Sequence, residues 1–184
     1  VEKKLNFKLK KKNYLLTFHP EKDEINLQIK FIHLLLNFLS TDRNLRVIIT
    51  APNSDQYNNL ILSEIKKNLD KNDNLKFFPS LGNKLYYSLI KYVDLVIGNS
   101  SSGICEIPTF KKPTINVGPR QNGRPRTNSI IDIRYNISDF KKLSELAMSS
   151  SFQKKLKKTI NPYGNKKSSY FIFNKISSYL KKND

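Results

Sequence analysis

The chain has 184 residues and a mass of 21.4 kDa, a length that fits one domain and is ample for a buried core. Hydrophobic residues (38%, with 11% aromatic) fall in blocks, which excludes a disordered chain, while one cysteine, Cys105, and no Cys/His spacing exclude an intramolecular disulfide and a zinc site. The formal charge of +18 reads as a lysine-rich surface and disfavours a nucleic-acid partner, because lysines lie along nearly every helical face with no dense arginine stripe and no RNA-binding aromatic signature. After the lysine-rich lead (Lys3, Lys4, Lys8 to Lys12), the apolar run Tyr14 to Phe18 stops at His19-Pro20 and predicts a buried strand ending in a turn. From Glu24 the period changes: Ile25, Ile29, Ile32, Leu36 and Leu39 share one helical face. Leu45 to Thr50 predicts a second buried strand, and Tyr57, Leu60, Ile61 and Ile65 mark another amphipathic helix.

The alternation continues with strand Leu75 to Phe78, helix Leu85 to Val93, strand Leu95 to Ile97, helix Gly103 to Phe110 and strand Thr114 to Val117. A Gly/Pro/Arg-rich loop, Gly118 to Asn128, leads to strand Ile130 to Ile133, a helix near Asp139 to Met148 and a short one near Phe152 to Lys158. Asn161-Pro162-Tyr163-Gly164 breaks the chain before a last helix carrying Phe171, Ile172, Ile176 and Leu180 at helical spacing. Strands alternating with helices predict an α/β fold, a Rossmann-like, doubly wound parallel sheet. Ligands of such sheets bind beyond the carboxyl ends of the strands. No apolar run approaches the roughly 20 residues that span a bilayer and no signal-peptide pattern opens the chain, so a reducing, cytoplasmic location is expected. The chain opens on Val1 and its only methionine is Met148, so further polypeptide is expected upstream.

The residues with chemistry to offer lie at those strand ends. Gly98-Asn99-Ser100-Ser101-Ser102-Gly103 leaves a buried strand and enters a helix, where small residues, serine hydroxyls and unpaired amides can hold a diphosphate. Glu106, placed in the first turn of that helix, is a carboxylate able to accept two ribose hydroxyls. The structural alternative makes Ser102 or Gly103 an N-cap and Glu106 its capping-box partner. His19 puts an imidazole over the same edge, able to donate to a phosphate oxygen, although a histidine in a turn is more often structural. His33, inside an amphipathic helix, reads as a boundary residue. Gly118-Pro119-Arg120-Gln121-Asn122-Gly123-Arg124 offers arginine forks on a loop that can close over a ligand, or else a solvated basic loop.

Together, Thr17-Phe18-His19-Pro20-Glu21, the stretch Gly98 to Pro108, Asn116 to Arg124 and Asn161-Pro162-Tyr163-Gly164 resemble, in order and spacing, the carboxy-terminal domain of the UDP-N-acetylglucosamine 2-epimerases. The Arg-Gln-x-Gly-Arg loop is similar to that of the hydrolysing branch. The resemblance implies one half of a glycosyltransferase-B-type fold, with residues 1–165 forming the nucleotide-binding domain. Residues 166–184 would form a C-terminal helix that packs on it or on the amino-terminal domain. It implies that His19 contacts the diphosphate in a supporting role, that Ser100, Ser101 and Ser102 with the Gly103 turn hold phosphate, and that Glu106 binds ribose. Arg120 would help close the site, and Asn53, Phe78 and Leu81 would lie near the uridine. No cofactor or metal is implied. The partners implied are a UDP-sugar and the amino-terminal domain, which carries the acid and base carboxylates and has no counterpart in these residues; homo-oligomerisation stays open. One departure follows Tyr163-Gly164, where Asn165-Lys166 stands in place of the usual Asp-Gly. The rival readings are a glycosyltransferase of the same fold and a basic nucleic-acid-binding module.

Overall fold

A computed structural model describes residues 1–164 and 168–181. Six strands form one parallel sheet: β1 (Lys12–Thr17), β2 (Leu45–Thr50), β3 (Leu75–Phe78), β4 (Leu95–Gly98), β5 (Thr114–Val117) and β6 (Ile130–Ile133). Their spatial order is β3-β2-β1-β4-β5-β6, so the chain builds one wing outward from β1 and then returns to build the other from β4. The register aligns strand ends across this switch, pairing Thr17 with Thr50 on one side and with Gly98 on the other. The loops that leave β1 and β4 therefore begin side by side, where doubly wound sheets open a crevice.

Side chains alternate across a strand, and this period of two divides the core. Leu16, Val47, Ile49, Ile97, Ile115 and Val117 point to one face, which α2 (Ile25–Ser40), α3 (Asn58–Leu69) and α6 (Ile137–Met148) cover. Leu15, Ile48 and Val96 point to the other, against Leu89 and Ile90 of α4 (Gly82–Ile90) and against Ile107. Burying each such side chain contributes about 1.5 to 3 kcal/mol. In α2 the buried stripe is Phe31, Ile32, Leu35, Leu36 and Leu39, with Ile25 and Ile29 packed on its edge.

The structure differs from the expected elements in several places, and α4 (Gly82–Ile90) lies three residues earlier than the helix expected from Leu85 to Val93. The segment read as a lysine-rich lead contains a one-turn helix, α1 (Glu2–Leu5), that seats Leu5 in the core; one apolar residue leaves no period to read. The single helix expected from Gly103 to Phe110 is two pieces, α5 (Ser101–Cys105) and a 3-10 helix, Ile107–Phe110, because Pro108 has no N–H with which to continue an α-helix. Glu106 is thus the residue that ends α5, not one in its first turn. Leu60, expected on the buried face of α3, is 45% exposed, and Tyr57 precedes that helix at a φ of 71°.

Beyond α6 lie α7 (Ser150–Leu156) and α8 (Ser168–Leu180). Among the described residues none of α8 is buried, so the apolar spacing of Phe171, Ile172, Ile176 and Leu180 does form a helix but leaves that face uncovered. The domain division expected at 165/166 and the Asn165-Lys166 departure lie outside the described residues. Among those described, no helix is long and apolar enough to cross a membrane.

Candidate functional site

At the carboxyl edge of the switch point a cleft of about 300 Å³ is lined by the strand-end residues Thr17 and Thr50, by His19, Leu81, Tyr86 and Tyr87, and by Ser100, Ser102 and Glu106. Its geometry begins at Gly98, which has a φ of +129°; a Cβ there would lie 1.8 Å from the Thr17 carbonyl oxygen. Glycine is what lets β4 turn this tightly against β1. The next residues cap α5: Ser100 is extended, and its hydroxyl accepts the Ser102 N–H at 3.4 Å. The structural alternative read from sequence is thus shifted, since Ser100 and not Ser102 or Gly103 is the N-cap.

The opposite wall is a relay of oxygens. The Tyr86 hydroxyl lies 2.5 Å from Ser102 Oγ, which donates to Glu106 Oε2 at 2.9 Å. Ser102 spends its only proton on the carboxylate, so Tyr86 is the donor to Ser102. Burial, reinforced by the Glu106 charge, pushes the Tyr86 phenol up to about 12, which keeps that proton in place at neutral pH. The Glu106 charge raises the neighbouring Tyr87 phenol as well, and the Tyr87 hydroxyl hydrogen-bonds to that carboxylate. Tyr87 stacks on Phe110 with ring centroids 5.9 Å apart, giving the cleft a flat aromatic rim.

His19 enters from the other side. Its Nδ1 accepts the Asn53 backbone N–H at 2.9 Å, which assigns the proton to Nε2 and leaves that nitrogen a donor. Burial and the nearby Arg120 charge lower its pKa to about 4, against opposing contributions from Asp55 and the Asn53 side chain. The imidazole is therefore neutral at physiological pH, a donor that adds no charge of its own. Arg120 stands behind it, with NH2 3.7 Å from Asp55 Oδ2 and NH1 3.5 Å from the Asn99 carbonyl.

The three arginines of the basic loop do different things. Arg126 pairs with Asp132 of β6 at 3.0 Å and donates to the carbonyls of Gln121 and Arg124, so it pins the loop. Arg124 reaches Cys105 Sγ at 3.5 Å. Arg120 is the one of the three whose charge acts on the His19 imidazole. Gly118 opens the loop at a φ of +78° with no room for a side chain, because a Cβ would sit 2.5 Å from the Tyr135 hydroxyl oxygen.

Of the residues expected at the site, His19, Leu81, Ser100, Ser102 and Glu106 line the cleft, and Asn53 supports His19 from below. Phe78 packs toward the core beneath it, its carbonyl accepting the Ala51 N–H. Ser101 lies next to the lining serines without being part of the wall. Gly103 faces away: a Cβ on it would meet Thr114 Cγ2 at 2.9 Å, so it permits α5 to pack on β5. Tyr86, Tyr87 and the Thr17–Thr50 hydroxyl pair, 2.5 Å apart, were not foreseen. The threonines left a signal, since both are polar residues closing apolar strands; the tyrosines, on a helix rim, left none.

A neutral imidazole, serine hydroxyls, a carboxylate and an arginine grouped at the switch point of a 3-2-1-4-5-6 parallel sheet define a Rossmann-like α/β domain with a nucleotide-type crevice. The fold is that of the S. aureus MnaA–UDP complex (TM-score 0.74, 18% identity, 98% of this chain and 48% of that one). It is shared with UDP-GlcNAc 2-epimerase from Neisseria meningitidis bound to UDP-GlcNAc (TM-score 0.68, 16% identity, 96% and 47%). Residues 1–177 match the family model for UDP-N-acetylglucosamine 2-epimerase, and the chain belongs to that family. A relative from Campylobacter jejuni, the GDP/UDP-N,N'-diacetylbacillosamine 2-epimerase (hydrolyzing), is 46% identical over 147 residues, which cover 78% of this chain and 38% of the relative. The chain thus spans about two fifths of that relative and about half of the solved structures.

Proposed function

We propose that this chain supplies the UDP-holding half of a cytoplasmic, hydrolysing UDP-sugar 2-epimerase that releases UDP and forms N-acetylmannosamine or a diacetamido analogue. The observation that carries the reading is the convergence of His19, Ser100, Ser102 and Glu106 on one cleft, with the Arg120 charge acting on the imidazole from outside its lining. The Campylobacter jejuni relative, named as hydrolysing, supports the reaction type.

In the reaction a base on the amino-terminal half takes the proton from C2 of the sugar, and the C1–oxygen bond breaks, its electron pair leaving with UDP. Water then adds across the resulting 2-acetamidoglucal to give the inverted sugar. The negative charge that grows on the departing β-phosphate oxygen is what this half must stabilise. His19 Nε2–H donates to the diphosphate, the Ser100 hydroxyl and the adjoining Ser101 hold phosphate, and Arg120 exchanges its long contact with Asp55 for a phosphate oxygen. Glu106 accepts the two ribose hydroxyls, already oriented by Ser102. The uracil lies toward Leu81 and the aromatic rim, over the turn that Phe78 begins and beside Asn53. The exposed apolar face of α8 packs against the amino-terminal half.

In the complete protein, saturating UDP should raise the melting temperature, as any ligand restricted to the folded state does, by about 2.7 kcal/mol of stabilisation at one hundred times Kd. Glu106→Ala and Arg120→Ala should each remove most of that shift; undiminished stabilisation in both variants refutes the site. Product analysis should show free UDP with a 2-epimerised free sugar. UDP release coupled to sugar transfer onto an acceptor identifies a glycosyltransferase instead.

A further inference from the structure

Three loops converge behind the cleft: the turn after β1 with His19, the turn after β4 with Ser100, and the loop after β5 with Arg120. One residue, in the second of these turns, bonds to the other two loops. Asn99 is fully buried, and its side chain grips the main chain of His19 at two points, Oδ1 accepting the His19 N–H at 2.7 Å and Nδ2 donating to the His19 carbonyl at 2.7 Å. Its own N–H donates to the Thr17 carbonyl at 3.3 Å. Its carbonyl accepts Gln121 Nε2 at 2.8 Å and lies 3.5 Å from Arg120 NH1. Nδ2 also lies 3.5 Å from Glu21 Oε1, which the Tyr135 hydroxyl holds at 2.8 Å.

The two-point grip fixes orientation as well as distance, because an amide pairing both the N–H and the C=O of one residue cannot swivel without breaking a bond. Asparagine alone among small residues carries a donor and an acceptor at this reach; aspartate keeps the acceptor but turns a lone pair toward the His19 carbonyl. We propose that Asn99 is the positioning residue of this site, setting the spacing between the His19 imidazole and the Arg120 loop so that both meet one phosphate-bearing ligand. The ligand assignment rests on the UDP reading above; the clamp itself does not.

The test uses the complete protein, with UDP as the probe and two readouts. The first is UDP affinity by calorimetry. The second is the titration of the His19 imidazole by NMR, assigned by His19→Gln, since the chain has only two histidines. Asn99→Ala should weaken UDP by about tenfold or more. It should also move the His19 titration upward from about 4 as the ring leaves the Arg120 charge and meets water. Asn99→Asp serves where the alanine variant does not fold, and should act in the same direction. Gln121→Ala cuts only the Arg120 arm and should weaken UDP while moving the His19 titration upward by less than Asn99→Ala does, because burial, the larger cause of the lowering, is kept while the ring stays gripped. Leu36→Ala, in the core of α2, is the control for general destabilisation and should change neither readout. Wild-type values for both readouts in a folded Asn99 variant, or equal changes in Leu36→Ala, overturn the proposal. If the unaltered protein binds no UDP, the reading of the ligand fails, and the His19 titration still decides whether Asn99 positions the imidazole.

Discussion

At the scale of single residues, His19 shows how burial converts a pH-sensitive group into a constant one. Its pKa lies near 4 in the folded protein against an ordinary value near 6.5, so between those limits the unfolded chain binds more protons than the folded one. Stability therefore rises with pH across this window: the contribution is complete above about 6.5 and is lost as pH falls toward 4. His19→Gln, which cannot titrate, should lose less stability than the unaltered protein between pH 6.5 and 4 in denaturant melts; parallel curves would show that the imidazole is not desolvated. His19, Ser100, Ser102 and Glu106 were legible because each is a chemically capable side chain on a strand-end motif. Asn99 and Tyr86 were not, since their roles come from partners 80 and 16 residues away, which no local pattern encodes.

At the scale of elements, the turn from β4 into α5 is the most constrained join. Gly98→Ala would drive a methyl group into the Thr17 carbonyl and force apart two strands paired at Thr17 and Gly98. It should cost at least about 3 kcal/mol, read as a lowered urea midpoint, because neither atom belongs to a flexible side chain. A loss below about 1 kcal/mol would mean that the sheet tolerates a wider gap at the switch point. The strands were readable almost to the residue, because a buried parallel strand is a short apolar run with polar stops. Helices were readable where they carry two or more turns of apolar period, as α2 does. The stretch from Gly103 to Phe110 misled because its apolar spacing spans Pro108, which redirects the backbone without altering the pattern. On α2 and α3 the pairing of His33 with Glu64 across 2.7 Å, beside Lys67, shows the boundary histidine bridging two helices, a contact that neither sequence segment discloses.

At the scale of the whole molecule, alternation of strands and helices made a doubly wound parallel sheet, with its ligand edge at the carboxyl ends, readable from sequence, whereas the strand order that places the switch point between β1 and β4 came from the structure. The distribution of charge and the uncovered face of α8 were not readable either, because both depend on what lies beside the surface. The switch point itself has a mechanical consequence. Residues from the β1–β3 wing and the β4–β6 wing each supply one side of the crevice, and the bonds that join them link positions 80 and 114 apart in the chain. A nucleotide bound across that seam would add contacts between the two wings, as a rivet does between two plates. Its binding energy should therefore appear as slower amide hydrogen exchange in the central strands of both wings at once, up to the global unfolding limit. Protection confined to the loops around the crevice would show that the wings separate while the nucleotide stays on one of them.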